Sequence, residues 1–307
     1  MDFFSILMQM VVLFLVVIVG YIANKCGVMD GDFNKRLTNL VLMITCPAMI
    51  LDSVINSENV FTLGEIGSIC ALAVISYALA FALGFLVPWL MHTPRDKLGV
   101  MRFMVIFGNV GFIGFPVIRA IFGSDAVFYA SIFNMPFNLL SYTIGAYLIA
   151  GKGNGTKLSW KDLCSPCVIA AVLSLVIALT HIQFPSVVGD TVELIGQVTT
   201  PAALLIIGSN LAQLPLRGIV GGPRIWIVSA VRLLISPLLL FLILRGWVSD
   251  AVVLGVAVVL QGMPVSTNCT MLALQYGGDA ESAGQGTFIT TLFSILTIPI
   301  LTMLVQA

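Results

Sequence analysis

The sequence predicts an all-α integral membrane protein. Hydrophobic residues make up 59% of its 307 positions and charged residues only 9%, and the mean hydropathy is +1.08. A soluble domain carries roughly 25% charged residues, so this chain has too few to cover a surface that faces water. No run of basic residues interleaved with aromatic ones indicates nucleic-acid binding.

Ten apolar segments are long enough to cross a bilayer, whose hydrocarbon core takes about 20 helical residues. Polar turns separate the segments, for example at residues 30–32 and 56–59. The segments, called spans 1 to 10, are predicted at residues 5–25, 34–53, 64–90, 98–122, 126–150, 164–181, 190–212, 222–245, 250–275 and 283–305.

The positions of Lys and Arg predict how these spans are oriented. Of the 14 such residues, 11 fall in odd-numbered loops, Arg119 and Arg245 fall in even-numbered loops, and Arg232 lies inside span 8. Because short positively charged loops stay in the cytoplasm, we expect the odd loops there and both termini on the other side. The expected location is the plasma (inner) membrane, as a multi-pass protein.

The two halves of the chain repeat each other at one constant offset. It pairs Thr45 with Thr199, Pro47 with Pro201, and Gly108 with Gly262. Each copy holds five spans, an odd number, so the second copy must enter the membrane upside down. The predicted units are a first repeat at residues 1–150, a short cytoplasmic linker at 151–163 and an inverted second repeat at 164–307.

Spans 4 and 9 are interrupted at matching places. Residues 108–116 read GNVGFIGFP, and residues 261–268 read QGMPVSTN. An unpaired backbone group in hydrocarbon costs several kcal/mol, so a broken helix is tolerated at that depth where it lines a protected cavity. Paired breaks in two inverted repeats are typical of the binding site of a secondary transporter. The sequence therefore predicts crossing, broken helices 4 and 9 with a site between them.

The break in span 9 can begin a new half-helix. Pro264 supplies no amide proton, and Ser266, Thr267 and Asn268 are of the types that cap a helix start. Such a start carries free N–H groups and about half a positive charge, so it can bind an anion without a basic side chain. A simple proline kink is the alternative interpretation.

The break in span 4 supplies the counterpart. The Asn109 amide can donate to a carboxylate, and Gly111 and Gly114 allow close approach of the backbone. The same glycines would also serve as a packing face alone. The predicted substrate-binding set is Asn109, Gly111, Gly114, Pro116, Gln261, Pro264, Ser266, Thr267 and Asn268.

Arg232 lies in the middle of span 8, where an arginine costs at least ~2.5 kcal/mol unless it meets a partner or a wet cavity. Two uses stay open: it attracts or gates an anionic substrate, or it pairs with a carboxylate such as Asp52 or Glu193. Scaffold-side, hinge or packing positions are predicted at Thr45, Pro47, Thr199, Pro201, Asn134 and Asn138.

The sequence gives no sign of catalytic or metal chemistry. Cys164 and Cys167 have ligand-like spacing, but no second pair and no nearby histidine completes a zinc site. No nucleophile–base pair or midplane carboxylate pair is present. We therefore expect no metal, no cofactor and no enzyme activity.

Ten spans, the five-plus-five inverted repeat and the two breaks together resemble the auxin efflux carrier family, over essentially the whole chain. That family includes bacterial carriers of small carboxylates and plant PIN-type proteins. The resemblance implies a scaffold of spans 1, 2, 6 and 7 and a moving core of spans 3–5 and 8–10. The substrate would bind where spans 4 and 9 cross.

The activity that the resemblance implies is secondary transport of a small organic anion, such as malate, malonate or an auxin-like acid, by elevator-like alternating access. The alternatives are a sodium- or proton-coupled carrier of bile-acid-symporter-like fold with another solute, and a channel. The expected partners are the anion, the lipid bilayer, H⁺ or Na⁺ if transport is coupled, and a second copy joined through the scaffold helices.

Overall fold

The computed structural model of the protein describes residues 3–57, 62–151, 166–180, 182–213, 221–248 and 250–306, with the side chains of all of these except 3, 5, 138, 139 and 306. The described helices are α1 (Phe3–Lys25), α2 (Gly31–Ile55), α3 (Leu63–Leu90), α4 (Arg95–Ile106), α5 (Val110–Phe122), α6 (Ala126–Leu140, continued through Ser141–Gly145 to Ala146–Ala150), α7 (Pro166–Thr180), α8 (Ser186–Gln213), α9 (Pro223–Leu244), α10 (Ala251–Gln261), α11 (Asn268–Tyr276) and α12 (Ala280–Gln306).

The prediction of an all-helical membrane protein is confirmed. Within the described ranges, the helices α1, α2, α3, α8, α9 and α12 are long and apolar enough to cross a membrane. The apolar helices α5, α7 and α10 are shorter, and α4 and α10 end at the two predicted breaks. Of the predicted linker, only Gly151 is among the described residues. Cys164 and His181 also lie outside the described residues.

Prolines set wide, π-helical turns in α2, α5 and α9. Each turn ends two residues before a proline, and the three pairs are Val41–Thr45 with Pro47, Val110–Gly114 with Pro116, and Val231–Ile235 with Pro237. Proline has no N–H and its ring crowds the carbonyl four residues back. The amide of the residue before the proline therefore donates to the carbonyl five residues back, as Cys46 donates to the carbonyl of Val41. Pro47, predicted as a hinge or packing position, thus sets a local widening of α2.

The helices pack in two groups. α1 runs along α8, and α2 packs against α7 and the first part of α8. In the other group α3 packs on α4 and α6, while α12 packs on α9, α10 and α11. The groups meet where α1 contacts α12 and where α2 and α7 contact α6. Of the broken pairs α4–α5 and α10–α11, it is α5 that packs directly against the first group, on α1 and α8.

Two glycines allow α1 and α8 to approach closely. The Gly208 backbone lies against the carbonyl of Val17, and a Cβ added at Gly208 would overlap that carbonyl. Gly20 lies in the same way against the backbone of Leu205. Small residues at a helix contact are the usual means of close packing in membranes, where no hydrophobic force drives helices together.

Side chains at the helix ends tie distant loops together. At one end, Lys25 Nζ donates to the carbonyl of Ala212 at 2.8 Å, Arg224 Nε donates to the carbonyl of Met91 at 3.4 Å, and Lys97 Nζ lies 3.4 Å from Asp279 Oδ2. At the other end, Asn56 Nδ2 donates to the carbonyl of Gly189 at 3.1 Å, and Arg119 Nη2 lies 3.2 Å from Asp52 Oδ2.

Asp279 precedes α12 and accepts from the backbone N–H of Ser282 at 3.1 Å. Desolvation acts to raise the pKa of Asp279, but the hydrogen bonds from Ser282 and the charge of Lys97 lower it below its ordinary value. A carboxyl whose pKa is lowered by folding stabilises the protein above its ordinary pKa. That stabilisation is lost as the pH falls through the lowered pKa.

Gly208→Leu is expected to lower the Tm of the purified protein by roughly 3–10 °C, since overpacking costs about 1–3 kcal/mol. The matched control is Gly67→Ala in α3, because a Cβ there meets no atom within 4 Å. Thermal unfolding in detergent would measure both. Equal Tm values for the two variants would contradict the close approach of α1 and α8.

Candidate functional site

The two helix breaks cross and pair through their backbones. The amide of Asn109 donates to the carbonyl of Pro264 at 2.7 Å, and the amide of Ser266 donates to the carbonyl of Phe107 at 3.0 Å. These two bonds form an antiparallel bridge at Gly108 and Val265. The bridge satisfies polar groups that would otherwise be unpaired in the interior, and it fixes α4–α5 to α10–α11.

Arg232 holds the ends of the two half-helices that precede the breaks. Its Nε donates to the carbonyl of Met263 at 2.9 Å, and its Nη1 donates to those of Val105 at 3.1 Å and Ile106 at 3.2 Å. The side chain is 2% exposed. Carbonyls at a helix C-terminus carry about half a negative charge, so one guanidinium neutralises the ends of α4 and α10 together.

The Arg232 geometry also explains why residue 108 is a glycine. A Cβ at Gly108 would overlap Nη2 of Arg232, so only glycine leaves room for the guanidinium beneath the crossing. In the sequence, Gly108 is visible only as part of a break, and its contact with Arg232 is not.

The carboxylates suggested as partners of Arg232 are engaged elsewhere. Asp52 pairs with Arg119, and Glu193 Oε1 accepts from Gln197 Nε2 at 2.9 Å. Of the two uses left open for Arg232, pairing with Asp52 or Glu193 does not occur in the described part of the chain. Three backbone carbonyls take that place, because their dipoles converge where two helices stop.

The half-helix α5 begins at Asn109. Its Oδ1 accepts from the backbone N–H of Phe112 at 3.2 Å and so caps the helix start. Its Nδ2 is buried and has no hydrogen-bond partner. A buried amide donor without a partner costs about 1–3 kcal/mol, so this group is ready to bind an acceptor.

The half-helix α11 begins at Asn268. Its backbone N–H donates to Ser266 Oγ at 3.3 Å, and its Nδ2 donates to Tyr142 Oη at 3.3 Å. Both half-helices therefore start with an asparagine whose side chain lies beside the crossing. The two starts add positive ends of helix dipoles at the same place.

A cavity with about 590 Å³ of empty space, including the part open to solvent, lies at these two helix starts. Described residues from α2, α5, α6, α7 and α11 line it, together with residues of both breaks. They are Val41, Leu42, Cys46, Asn109, Gly111, Phe112, Phe115, Asn134, Phe137, Tyr142, Cys167, Ser266 and Asn268. None of these side chains is a Lys, Arg, Asp or Glu.

Asn134 extends the polar wall along α6. Its Oδ1 is buried and without a hydrogen-bond partner, and the residue is 8% exposed. The cavity thus presents an unpaired amide nitrogen from Asn109 and an unpaired amide oxygen from Asn134.

Five residues predicted from the sequence line the cavity: Asn109, Gly111, Asn134, Ser266 and Asn268. The other members of the predicted substrate-binding set hold its frame. Gln261 Nε2 donates to Ser236 Oγ at 2.6 Å, Pro264 accepts from Asn109, and the Thr267 carbonyl accepts from Met271 at 3.4 Å. At Gly114 a Cβ would lie 2.9 Å from Leu260 Cδ2, which is a packing contact.

The remaining predicted positions lie outside the cavity wall. Thr45 and Thr199 are buried with hydroxyls that have no partner, Pro116 sets the wide turn in α5, and Pro201 lies near the start of the second part of α8. The side chain of Asn138 is outside the described part of the chain.

Within that part, no cluster of three metal-ligating side chains occurs.

Several lining residues were missed by the sequence analysis. Tyr142 is a polar residue inside span 5, the span that carries Asn134, and that was a usable signal. Cys167 was considered only as a metal ligand, and Cys46 was not considered as a site residue. Cys167 Sγ donates to the carbonyl of Leu42 at 3.5 Å. That carbonyl has no backbone donor in the wide turn, because the Cys46 amide bonds to Val41 and Pro47 has no N–H.

Comparison with known proteins places this architecture among membrane transporters. The sequence model of the family described as "Membrane transport protein" matches twice, over residues 5–159 and again over residues 154–302. The chain therefore belongs to this family, which is the auxin efflux carrier family, and the predicted membership is confirmed.

Relatives in this family cover nearly the whole chain. An uncharacterized transporter of Methanocaldococcus jannaschii is 25% identical over 297 residues, which is 94% of each chain. A putative malonate transporter of Rhizobium meliloti is 22% identical over 95% of this chain and 93% of its own length. An uncharacterized transporter of Methanothermobacter thermautotrophicus is 24% identical over 92% of this chain and 93% of its own length.

Arg232→Met is expected to lower the Tm by on the order of 5 °C or more and to abolish transport, because three buried carbonyls lose a charged donor. Arg245→Gln is the matched control, since Arg245 ends the same helix and is exposed. Thermal unfolding and uptake into proteoliposomes would measure the two effects. A fully active and stable Arg232→Met protein would show that the carbonyl contacts are dispensable.

Gly111→Leu and Gly114→Leu should separate the cavity from its frame. A Cβ at Gly111 meets nothing within 4 Å, so the larger side chain fills the cavity and weakens binding while the Tm stays unchanged. At Gly114 the side chain meets Leu260, and the Tm should fall by roughly 3–10 °C. Ligand titration and thermal unfolding of both variants would test this contrast, and a reversed pattern would refute the assignment of the cavity wall.

Proposed function

We propose that the protein is a secondary transporter that moves a small organic anion by alternating access, with the anion bound where α4–α5 and α10–α11 cross. One observation carries this proposal. The starts of α5 and α11, with Asn109 and Asn268, face a single cavity whose described wall has no charged side chain. Free N–H groups and helix dipoles stabilise an anion in such a place.

The chemistry of the wall favours a carboxylate on a small carbon frame. Asn109 Nδ2 can donate to a carboxylate oxygen, and Asn134 Oδ1 can accept from a hydroxyl or a protonated acid. Phe112 and Phe137 offer apolar surface for the carbon frame. Malate, malonate or an auxin-like acid would satisfy these groups, and the name of the Rhizobium meliloti relative points in the same direction.

The proposal includes ten spans in two inverted repeats. Three matched helix ends support it. Phe122 and Tyr276 end α5 and α11, Ala126 and Ala280 begin α6 and α12, and Leu90 and Leu244 end α3 and α9, each pair separated by 154 positions. The repeat units would be residues 1–150 and 164–307, joined by residues 151–163.

Contacts between loops support the alternating direction of the spans. Lys25, Met91, Lys97, Ala212, Arg224 and Asp279 all lie in or next to odd-numbered loops, and their contacts join those loops to one another. Asn56 and Gly189 likewise join two even-numbered loops. The proposed orientation places the odd loops in the cytoplasm and both termini outside, in the plasma (inner) membrane.

The proposed motion follows from the two packing groups. The cavity has walls from α2 and α7 on one side and from α5, α6 and α11 on the other. A shift of the second group against the first would carry the cavity from one membrane face to the other, as in an elevator. A second copy docked through α1, α2, α7 and α8 and coupling to H⁺ or Na⁺ stay predictions.

Asn109→Ala and Asn268→Ala are each expected to weaken anion transport at least about tenfold, since a lost hydrogen bond to a charged group costs about 1.5–3 kcal/mol. The control is Gln197→Ala, an exposed amide bonded to Glu193. Uptake of labelled malonate, malate and an aromatic acid into proteoliposomes would measure the effect.

Counterflow separates a carrier from a channel in the same vesicles. A carrier saturates and exchanges internal for external anion, whereas a channel does neither. Normal transport by both asparagine variants would contradict the assigned site. Transport of neutral or cationic solutes alone would contradict the anion proposal and favour the alternative solute classes.

A further inference from the structure

Arg119 and Asp52 form a partly buried ion pair between helices of the two packing groups, and the Arg119 side chain is 22% exposed. Arg119 Nη2 on α5 lies 3.2 Å from Asp52 Oδ2 on α2, and the Asp52 side chain is 4% exposed. Asp52 Oδ1 also accepts from Asn56 Nδ2 at 2.8 Å, and the same nitrogen donates to the carbonyl of Gly189 at 3.1 Å. One carboxylate thus joins α5 to α2, with α8 held alongside.

Arg119 lies on a helix face that also lines the cavity. Phe112, Phe115 and Arg119 follow one another at helical spacing on one face of α5, and the two phenylalanines line the cavity. A second space of about 200 Å³, bounded by Phe115, Asn134 and Ile50, adjoins the cavity. Arg119 lies one turn beyond Phe115 on the same helix.

Arg119 and Arg232 hold different groups. The guanidinium of Arg232 is occupied by three backbone carbonyls. Arg119 instead holds a carboxylate, the group proposed for the transported anion. Arginine binds carboxylates through planar, charge-assisted hydrogen bonds, so an incoming carboxylate can replace Asp52 with no change in the chemistry of the contact.

We propose that Arg119 is a carboxylate-binding site that gates the cavity. The Asp52 carboxylate fills this site in the closed conformation, and a carboxylate of the passing anion displaces Asp52 when this end opens. This inference rests on the proposed function, since it takes an anion through the cavity. It adds a second binding position, outside the crossing, and assigns the closed end of the path.

The gate can be tested without the transported substrate, through cysteines that the cavity wall already contains. Cys46 and Cys167 line it, and Cys46 is 3% exposed. Right-side-out and inside-out vesicles would be treated with a cationic, membrane-impermeant methanethiosulfonate, and the labelled cysteines identified by mass spectrometry. Asp52→Asn and Arg119→Gln should each raise the labelling rate of Cys46 about fivefold or more from one side only.

Two controls make the result specific. The substitutions change the local charge in opposite directions, so electrostatic attraction of the reagent cannot raise both rates. Lys97→Gln breaks the ion pair with Asp279, which joins α4 and α12 inside one packing group, and it should label like the wild type. Unchanged labelling in Asp52→Asn and Arg119→Gln would overturn the gate whatever solute is transported.

A chemical rescue tests the carboxylate site itself. Asp52→Ala removes the internal carboxylate and leaves space beside Arg119. Excess acetate should bind at the vacated position and raise the Tm of Asp52→Ala, whereas acetamide, the neutral analogue, should not. Acetate should have no effect on the Tm of Arg119→Gln. Failure of acetate to raise the Tm of Asp52→Ala would overturn carboxylate binding by Arg119.

The outcomes also separate this inference from the proposed function. Rapid labelling and acetate rescue, combined with normal transport by Asn109→Ala and Asn268→Ala, would leave the gate standing and remove the anion site at the crossing. Transport loss in the asparagine variants, with slow labelling in both gate variants, would leave the anion site at the crossing standing and remove the gate.

Discussion

The structure depends on the guanidinium of Arg232, because it allows two helices to stop inside the membrane. The carbonyls of Val105, Ile106 and Met263 are helix ends with partial negative charge, and they converge on Nε and Nη1 of this one side chain. Without a cation between them, two such helix ends would repel each other. With the cation in place, the positive starts of α5 and α11 remain facing the cavity.

In this arrangement the charged guanidinium of Arg232 is not one of the groups that line the cavity. The full positive charge of Arg232 lies at the crossing and is neutralised by backbone carbonyls, so the cavity wall presents amides and helix starts. A basic side chain in the cavity would bind an anion strongly and release it slowly. A transporter must bind and release in each cycle, and partial charges from N–H groups allow both. The absence of Lys and Arg from the described cavity wall fits that need.

Much of the frame could be predicted from the sequence. Hydropathy located the helices, Pro47 and Pro116 marked changes in helix geometry, and the Gly-rich and Pro-containing breaks located Asn109, Ser266 and Asn268 in the cavity wall. What sequence could not show was contact between distant segments. The carbonyl partners of Arg232, the Asp52–Arg119 pair and the approach of Tyr142 to Asn268 each join residues from different spans. Helical periodicity constrains one helix at a time, so such pairings appear only once the helices are packed.

The partners of Arg232 show what sequence reasoning leaves out. A carboxylate was one of the two partners considered for this buried cation, because side-chain charges are visible in a sequence. Backbone carbonyls at a helix end are not, although two such ends can compensate a guanidinium without the desolvation of a carboxylate. Wherever a chain breaks two membrane helices at one depth, their C-terminal carbonyls are the first partners to consider for a buried arginine. The carboxylate of Asp52 then stays available for Arg119, at the boundary between the two helix groups.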